Sequence, residues 1–359
     1  MKPFIVMDVL KKARELENVI HLEIGEPDLL PSPKVKSALE MSVKNNSFFY
    51  TEAKGLKKLR EKISEHYKTM YDVKVNPENI IVTTGTSTAF LIAFYFSKII
   101  ATPTPGYPCY ENFAELENKK FIKIPTCFPE YKLNPKDLNR YNFDTLMISS
   151  PNNPTGTLYS KEDLKSICDY CQNENKLLIS DELYHGLVYS DDYTTALKYN
   201  ENAIVINGFS KYFCMPGLRI GWMIVPEKFK RNAEIIAQNI LISAPTLSQY
   251  AALEAFDYQH LNTVKDEFQK RRDFLYNELK DLFPIAKPEG AFYLWCDISK
   301  YSDNSLKFCN TLLEDAKVAA TPGIDFGDFN NFIRIAYTKN INELETAAER
   351  IRNFLKNIK

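Results

Sequence analysis

Short β-branched apolar runs alternate with amphipathic helical stretches along most of this 359-residue chain. Such alternation is typical of a mostly parallel β-sheet with helices packed on both of its faces. The strands predicted in this way are residues 80–84, 145–149, 177–180, 204–207 and 220–225. We therefore predict an α/β fold in which a three-layer large domain spans residues 47–258.

The last part of the chain has a different pattern. Residues 261–283 favour one long helix, and two strands are predicted after it, at 291–296 and 332–337. Together with the N-terminal segment, these elements predict a smaller α+β domain made of residues 1–46 and 259–359.

Charge and composition indicate what kind of partner the chain has. Lys and Arg number 45 against 46 Asp and Glu, a net charge of -1, so no overall field attracts nucleic acid or a membrane surface. No apolar run approaches the roughly 20 residues of a membrane span, and the N-terminus does not resemble a secretory signal. We predict a cytoplasmic protein that acts on small molecules.

Seven cysteines are scattered along the chain, and Cys168 and Cys171 form a C-x-x-C pair. The pair lies in a stretch with helical periodicity, and no second pair is nearby to complete a four-ligand zinc site. We interpret both residues as part of a helix with reduced thiols, without a redox or metal role.

Polar sequences follow four of the predicted strands. G-T-S-T follows 80–84, S-P-N-N-P-T-G follows 145–149, D-E-L-Y follows 177–180, and G-F-S-K follows 204–207. Ligands of open α/β sheets bind beyond the carboxyl ends of the strands. A phosphate-binding turn, an amide, a carboxylate and an amine are therefore expected to meet at one edge of the sheet.

Residues 209–221, F-S-K-Y-F-C-M-P-G-L-R-I-G, resemble the cofactor-lysine signature of the fold type I aminotransferases of classes I and II. The resemblance implies that pyridoxal 5′-phosphate (PLP) is bound to Lys211 as a Schiff base, which requires an amine that loses its proton easily. It also implies that Arg219 pairs with the cofactor phosphate and that Ser210 adds a hydroxyl donor. The similarity continues in family order across nearly the whole chain.

The same resemblance implies further cofactor contacts. Thr86 and Ser87 stand at the start of a predicted helix, where unpaired N–H groups favour a phosphate. Asp181 is implied to keep the pyridine nitrogen protonated, which makes the ring an electron acceptor. Tyr184 and Asn153 are implied to bond the cofactor O3′, with a cis peptide after Asn153.

Other positions match the family's stacking and substrate-binding residues. Tyr107 is implied to stack on the pyridine ring, and Asn153 also to lie near the substrate carboxylate. Gly25 lies in a segment that resembles the loop closing over the substrate. Arg334 resembles the residue that binds the substrate α-carboxylate through two parallel hydrogen bonds.

Assembly and specificity depend on less regular matches. Tyr50 resembles a family tyrosine that reaches the phosphate of the other subunit, which implies a homodimer. Ser87 stands where some bacterial aspartate-using members carry a lysine, so aspartate is not implied as a substrate. Residues 99–104 lack the Gly-Asp pair that the family usually carries before its second strand. We expect this difference to affect only a turn.

The implied reaction is a two-stage transamination between an amino acid and a 2-oxo acid, in which Lys211 moves the proton of the substrate Cα. The same apparatus also serves other reactions, so a PLP-dependent β-lyase acting on a sulfur amino acid (C-S lyase), or an amino acid decarboxylase, is kept as the alternative. A lyase of this kind would release ammonia and pyruvate. A cofactor-binding regulator would need a DNA-binding appendage, which we do not expect here.

Overall fold

The computed structural model describes residue 1 and residues 3–358 of the chain. Its strands are β1 (Ile20–His21), β2 (Ile80–Thr83), β3 (Ile99–Thr104), β4 (Lys120–Pro125), β5 (Thr145–Ser149), β6 (Leu177–Asp181), β7 (Ile204–Gly208), β8 (Gly221–Ile224), β9 (Tyr293–Asp297), β10 (Val318–Ala319), β11 (Thr321–Pro322) and β12 (Phe332–Ala336). Its α-helices are α1 (Ile5–Arg14), α2 (Pro33–Lys44), α3 (Lys57–Tyr71), α4 (Gly85–Tyr95), α5 (Cys109–Leu116), α6 (Lys161–Asn173), α7 (Glu227–Ile240), α8 (Thr246–Ala252), α9 (Tyr258–Leu279), α10 (Ser305–Ala316) and α11 (Ile341–Asn357).

Within the described residues, seven strands form the central sheet in the order β2-β8-β7-β6-β5-β3-β4. The pairs from β4 to β7 are parallel, and β8 pairs antiparallel with both β7 and β2. The predicted mostly parallel sheet is confirmed. The orientation of β8 was not predictable from its sequence, because a strand buried on both faces is a continuous apolar run in either direction.

Helices cover both faces of this sheet. On β5, Leu146 and Ile148 belong to one buried cluster, whereas Met147, which points the other way, belongs to a second cluster with Phe90 and Phe94 of α4. Successive side chains of a strand point to opposite faces, so each face has its own apolar core. The predicted three-layer α/β arrangement is therefore confirmed.

Strands β3 and β4 were not among the strands predicted from sequence. Pro103 lies inside β3, and proline argues against an inner strand because it cannot donate to the ladder. In β4 the sequence K-F-I-K-I-P is interrupted by lysines, and its position at the sheet edge explains why polar residues are tolerated there.

The C-terminal elements form a second sheet. Antiparallel strands β11, β12 and β9 lie side by side, and β1 from the N-terminal segment pairs parallel with β10. The long helix predicted at 261–283 is α9, shifted by a few residues, and the strands predicted at 291–296 and 332–337 are β9 and β12. We retain as a proposal the division into a large domain, residues 47–258, and a small domain, residues 1–46 plus 259–359. The pairing of β1 with β10 supports this division. Helix α2 of the proposed small domain nevertheless packs against α8 of the large one.

The C-x-x-C pair lies on α6 and faces the core. Cys168 and Cys171 are both fully buried and free, and burial raises the pKa of the Cys171 thiol to about 12. Within the described residues, the side chains form no group of three or more potential metal ligands. None of the helices in that part of the chain combines the length and apolar character needed to cross a bilayer.

Replacing Ile204 by Ala should destabilise the fold. Ile204 on β7 is fully buried, and removing its branched side chain leaves a cavity that costs about 2–5 kcal/mol of unfolding free energy. Leu116→Ala, at the exposed end of α5, is the matched control and should change that free energy by less than about 0.5 kcal/mol. Denaturant unfolding measures both, and equal losses would contradict the assignment of this core.

Candidate active site

The carboxyl ends of β2, β5, β6 and β7 meet at one edge of the central sheet, where the predicted polar segments begin. A pocket of about 220 Å³ lies there. Every site residue named from the sequence, except Tyr50, lines this pocket: Gly25, Thr86, Ser87, Tyr107, Asn153, Asp181, Tyr184, Ser210, Lys211, Arg219 and Arg334.

Lys211 places its amine inside the pocket, where Nζ donates a 2.5 Å hydrogen bond to the carbonyl oxygen of Gly25. Burial, followed by the positive charge of Arg334, lowers the pKa of Lys211 from 10.5 to about 8. The weaker influence of Asp181 opposes that shift. The amine therefore loses its proton far more easily than a lysine in water, as attachment to an aldehyde requires.

The first turn of α4, residues 85–87, contributes to the wall of the pocket, and we call it the anion-binding turn. Helix α4 begins at Gly85 without a side-chain cap from Thr84, so its first N–H groups have no such partner. Thr86 and Ser87 follow in its first turn, and the Arg219 guanidinium lies over Gly85, where a Cβ would come within 2.5 Å of Nη2. A helix N-terminus, two hydroxyls and a guanidinium together suit a phosphate.

Asp181 also lines the pocket and is only 5% exposed. Its Oδ2 accepts a hydrogen bond from the Tyr110 hydroxyl, and its Oδ1 accepts one from the backbone N–H of Leu183. Burial raises the pKa of Asp181 to about 6, and the bond from Tyr110 opposes this rise. The carboxylate is thus held in place and can pair with a protonated ring nitrogen.

Sequence reasoning missed Tyr110, although a signal was present. Tyr110 follows Tyr107 by three residues and lies in the first turn of α5, which begins at Cys109. The two rings are in edge contact, with centroids 5.3 Å apart. The motif P-G-Y-P-C-Y therefore supplies both an aromatic wall and the donor to Asp181.

Arg334 on β12 is buried beside Asn153. Nη1 donates to Asn153 Oδ1 at 2.9 Å, and Nη2 donates to Thr321 Oγ1 at 3.0 Å and to the Glu23 carbonyl oxygen. Nε is buried with no acceptor among the described residues. A buried guanidinium with an unpaired N–H favours an incoming anion, and a carboxylate has the matching geometry.

Tyr184 and Tyr293 form a hydroxyl pair 2.6 Å apart against the N-terminal loop. A Cβ at Gly25 would lie 1.8 Å from the Tyr293 hydroxyl oxygen, so only glycine allows the loop to approach this closely. No local motif identifies Tyr293, because it comes from β9 of the second sheet. The peptide between Asn153 and Pro154 is cis, as the resemblance implied.

Tyr50 lies outside this pocket. Its side chain is 79% exposed, and it follows Phe48 and Phe49, which are 62% and 80% exposed. A single chain therefore does not bring Tyr50 to the pocket.

The chain is similar to known proteins over almost its full length. The family described as aminotransferase class I and II matches residues 17–351. The chain is 34% identical to the valine–pyruvate aminotransferase of Mycobacterium tuberculosis, over 98% of this chain and 96% of that protein. It is 37% identical to the (5-formylfuran-3-yl)methyl phosphate transaminase of Methanocaldococcus jannaschii, with the same coverage.

Solved structures give the same result for the fold. An aminotransferase from Mycobacterium tuberculosis superposes with a TM-score of 0.96 at 33% identity, over 99% of this chain and 97% of that one. A double mutant of the Thermus thermophilus aspartate aminotransferase has a TM-score of 0.93 at 28% identity, with the same coverage.

The fold and the pocket define an enzyme of the fold type I class that uses PLP. The chain belongs to the class I and II aminotransferases. The family uses PLP, and the residues present fit it: the anion-binding turn suits its phosphate, Asp181 its ring nitrogen, and the amine of Lys211 its aldehyde. The comparisons favour transamination over the lyase and decarboxylase alternatives.

Attachment of PLP to the cofactor-free protein should depend on pH through Lys211. The amine reacts only when unprotonated, so the rate should rise with pH and reach half its maximum near pH 8, the pKa of Lys211. Stopped-flow absorbance measures this rate. In Arg334→Gln the midpoint should move to higher pH, because a positive charge that lowers the pKa is removed; an unchanged midpoint, or a wild-type midpoint near 10.5, would contradict the assignment.

Proposed function

We propose that this protein moves an amino group from an amino acid to a 2-oxo acid, with Lys211 as both the cofactor-binding residue and the base. The observation that carries the proposal is the amine of Lys211, with a pKa of about 8, in a pocket that also holds an anion-binding turn and a buried carboxylate. When bound, PLP supplies an aldehyde that exchanges amines and a ring that accepts electrons from the substrate Cα.

The proposed cofactor contacts follow from the chemistry of each side chain. The hydroxyl and guanidinium donors that would hold the phosphate are Thr86, Ser87, Ser210 and Arg219. Asp181 would pair with the ring nitrogen, and Tyr107 would cover the ring face. The Tyr184 phenol and the Asn153 amide would bond O3′.

Lys211 Nζ is proposed to take the proton from the Cα of the amino donor. A general base works best when its pKa is close to the working pH, and a pKa of about 8 satisfies this near neutrality. Such a positioned base contributes about 100-fold to 10,000-fold to the rate.

Arg334 is proposed to bind the α-carboxylate of the substrate, with Asn153 beside it. The existing bond from Arg334 to Asn153 fixes the guanidinium plane, and its free Nε supplies an additional donor. Gly25 and its loop would cover the bound amino acid and exclude water. Fixing one end of the substrate in this way turns a bimolecular encounter into an oriented reaction.

We further propose a homodimer in which Tyr50 of each chain reaches the phosphate in the partner's pocket. Three consecutive exposed aromatic residues, Phe48, Phe49 and Tyr50, are what a surface covered by another chain would carry. A cytoplasmic location is proposed from the free thiols and the balanced charge of the chain.

Lys211→Ala should remove the visible absorption of the lysine-bound cofactor and slow conversion of an amino donor by at least about 100-fold, since both the attachment point and the base are lost. Absorbance and a single-turnover assay measure the two effects. Lys136→Ala, at an exposed lysine, is the control and should leave both unchanged. Survival of the absorption band in Lys211→Ala would sink the proposal.

Tyr50→Phe should weaken PLP binding by about 1.5–3 kcal/mol, the usual worth of a hydrogen bond to a charged group. A hybrid dimer of one Tyr50→Phe chain and one Lys211→Ala chain tests where Tyr50 acts. If Tyr50 acts across the interface, the pocket that keeps Lys211 receives the native Tyr50 of the other chain. Equilibrium dialysis should then find one tight PLP site per hybrid. A hybrid without a tight site would place Tyr50 in its own chain's pocket and contradict the proposal.

A further inference from the structure

The N-terminal segment, residues 4–7, forms part of the active-site pocket. Phe4, Val6 and Met7 line the same cavity as Lys211, at the start of helix α1. The Phe4 ring meets the Tyr107 ring edge-on, with centroids 6.1 Å apart. This segment therefore places apolar side chains beside the proposed cofactor site.

Asp325 fixes the segment from the far end of the chain. Helix α1 has no side-chain cap from Phe4, its own N-cap residue. Instead, the backbone N–H of Ile5 donates to Asp325 Oδ1 at 3.0 Å, and that of Val6 donates to Oδ2 at 3.3 Å. A carboxylate at a helix N-terminus satisfies unpaired donors and interacts favourably with the helix dipole.

The environment of Asp325 makes this contact necessary. The side chain is only 8% exposed and lies in the 3₁₀ turn Gly323–Phe326, which follows β11. Burial raises the pKa of Asp325, whereas the two N–H groups of α1 lower it. A buried carboxylate is costly without donors, so the docking of α1 and the burial of Asp325 support each other.

The basic groups of the pocket already have roles in the proposed function. Among the described residues that line it, the lysines and arginines are Lys211, Arg219 and Arg334. They are assigned to the cofactor aldehyde, the phosphate and the substrate α-carboxylate. The described residues that line the pocket therefore offer no further cation for a second carboxylate. Position 87, where some aspartate-using members of the family carry a lysine, is a serine in this chain.

Two stretches at and beside Tyr50 also lack Lys and Arg. Residues 45–53 contain no Lys or Arg, and neither do residues 232–264. These two stretches lie together, since Thr246 Oγ1 donates to the Phe49 carbonyl oxygen at 2.6 Å. If Tyr50 enters the partner's pocket, these two stretches bring no Lys or Arg with it.

We propose that residues 4–7, docked by Asp325, form the wall against which the donor's side chain packs, and that this wall selects amino acids with apolar side chains. The inference rests on the proposed transamination and names the substrate class of that same site. An apolar side chain gains by leaving water against Phe4 and Met7. A side-chain carboxylate would be buried there without a partner, which is strongly unfavourable.

The first experiment compares amino donors in single-turnover reactions of the PLP-loaded protein. Valine and leucine should exceed aspartate and glutamate in kcat/KM by about 100-fold or more, the discrimination expected when one competitor loses apolar contact and leaves a charge unpaired. Met7→Arg should move the leucine-to-aspartate ratio at least about tenfold towards aspartate, because it offers the missing cation. Equal or better use of aspartate by the unmodified protein would overturn the inference.

The second experiment tests the docking contact with a matched charge control. Asp325→Ala should raise KM for leucine about fivefold, the effect of losing one N-cap, with kcat and cofactor absorption nearly unchanged. Asp325→Asn keeps one acceptor oxygen and should have a smaller effect in the same direction. Hydrogen exchange should become faster in peptides that cover residues 4–10. Asp281→Asn removes the same charge from an exposed position after α9 and should change neither quantity. Unchanged exchange and KM in both Asp325 variants would overturn the docking role.

The side-chain wall and the proposed transamination are tested by different outcomes. If aspartate is the preferred donor while Lys211→Ala still loses its absorption band, the side-chain wall is wrong and the transamination proposal stands. If the protein converts none of these donors and Lys211→Ala keeps the band, the proposed function itself is wrong, and the inference falls with it.

Discussion

The site depends on one lysine amine that is kept out of bulk water beside a second positive charge. In the pocket, Lys211 is partly buried, and burial together with the positive charge of Arg334 lowers its pKa to about 8. Asp181 is close enough to limit the shift without cancelling it. An amine in this range can exist in both protonation states near neutrality, which is the property that both cofactor attachment and proton transfer need.

The rest of the fold positions groups around that amine. The central sheet brings the anion-binding turn, Asp181 and Lys211 to one edge, at the carboxyl ends of β2, β6 and β7, and the Tyr110 hydroxyl fixes the carboxylate. The second sheet supplies Arg334 and Tyr293, which meet the N-terminal loop at Gly25 and Glu23. The pocket is therefore complete only where the two sheets and the N-terminal segment meet.

The contiguous motifs were the part of the site most accessible from sequence. Lys211 and Arg219 lie in one run, and Asp181 and Asn153 directly follow predicted strands, so resemblance to the family's contiguous motifs was enough to propose them. Tyr293 and Asp325 were missed because their partners, Tyr184 and the start of α1, are distant in the chain. Strand β3 was missed because Pro103 argues against a strand, and that local signal was overridden by pairing on both sides.

The sequence by itself determined the fold class and the family, and it named the groups proposed for the cofactor site, because hydrophobic periodicity and short motifs are carried by consecutive residues. Only the tertiary structure decided that β8 runs antiparallel, that Tyr110 bonds Asp181, and that Asp325 docks helix α1 beside the pocket. Each of these features depends on an interaction in three dimensions, which the spacing of residues along a chain does not encode.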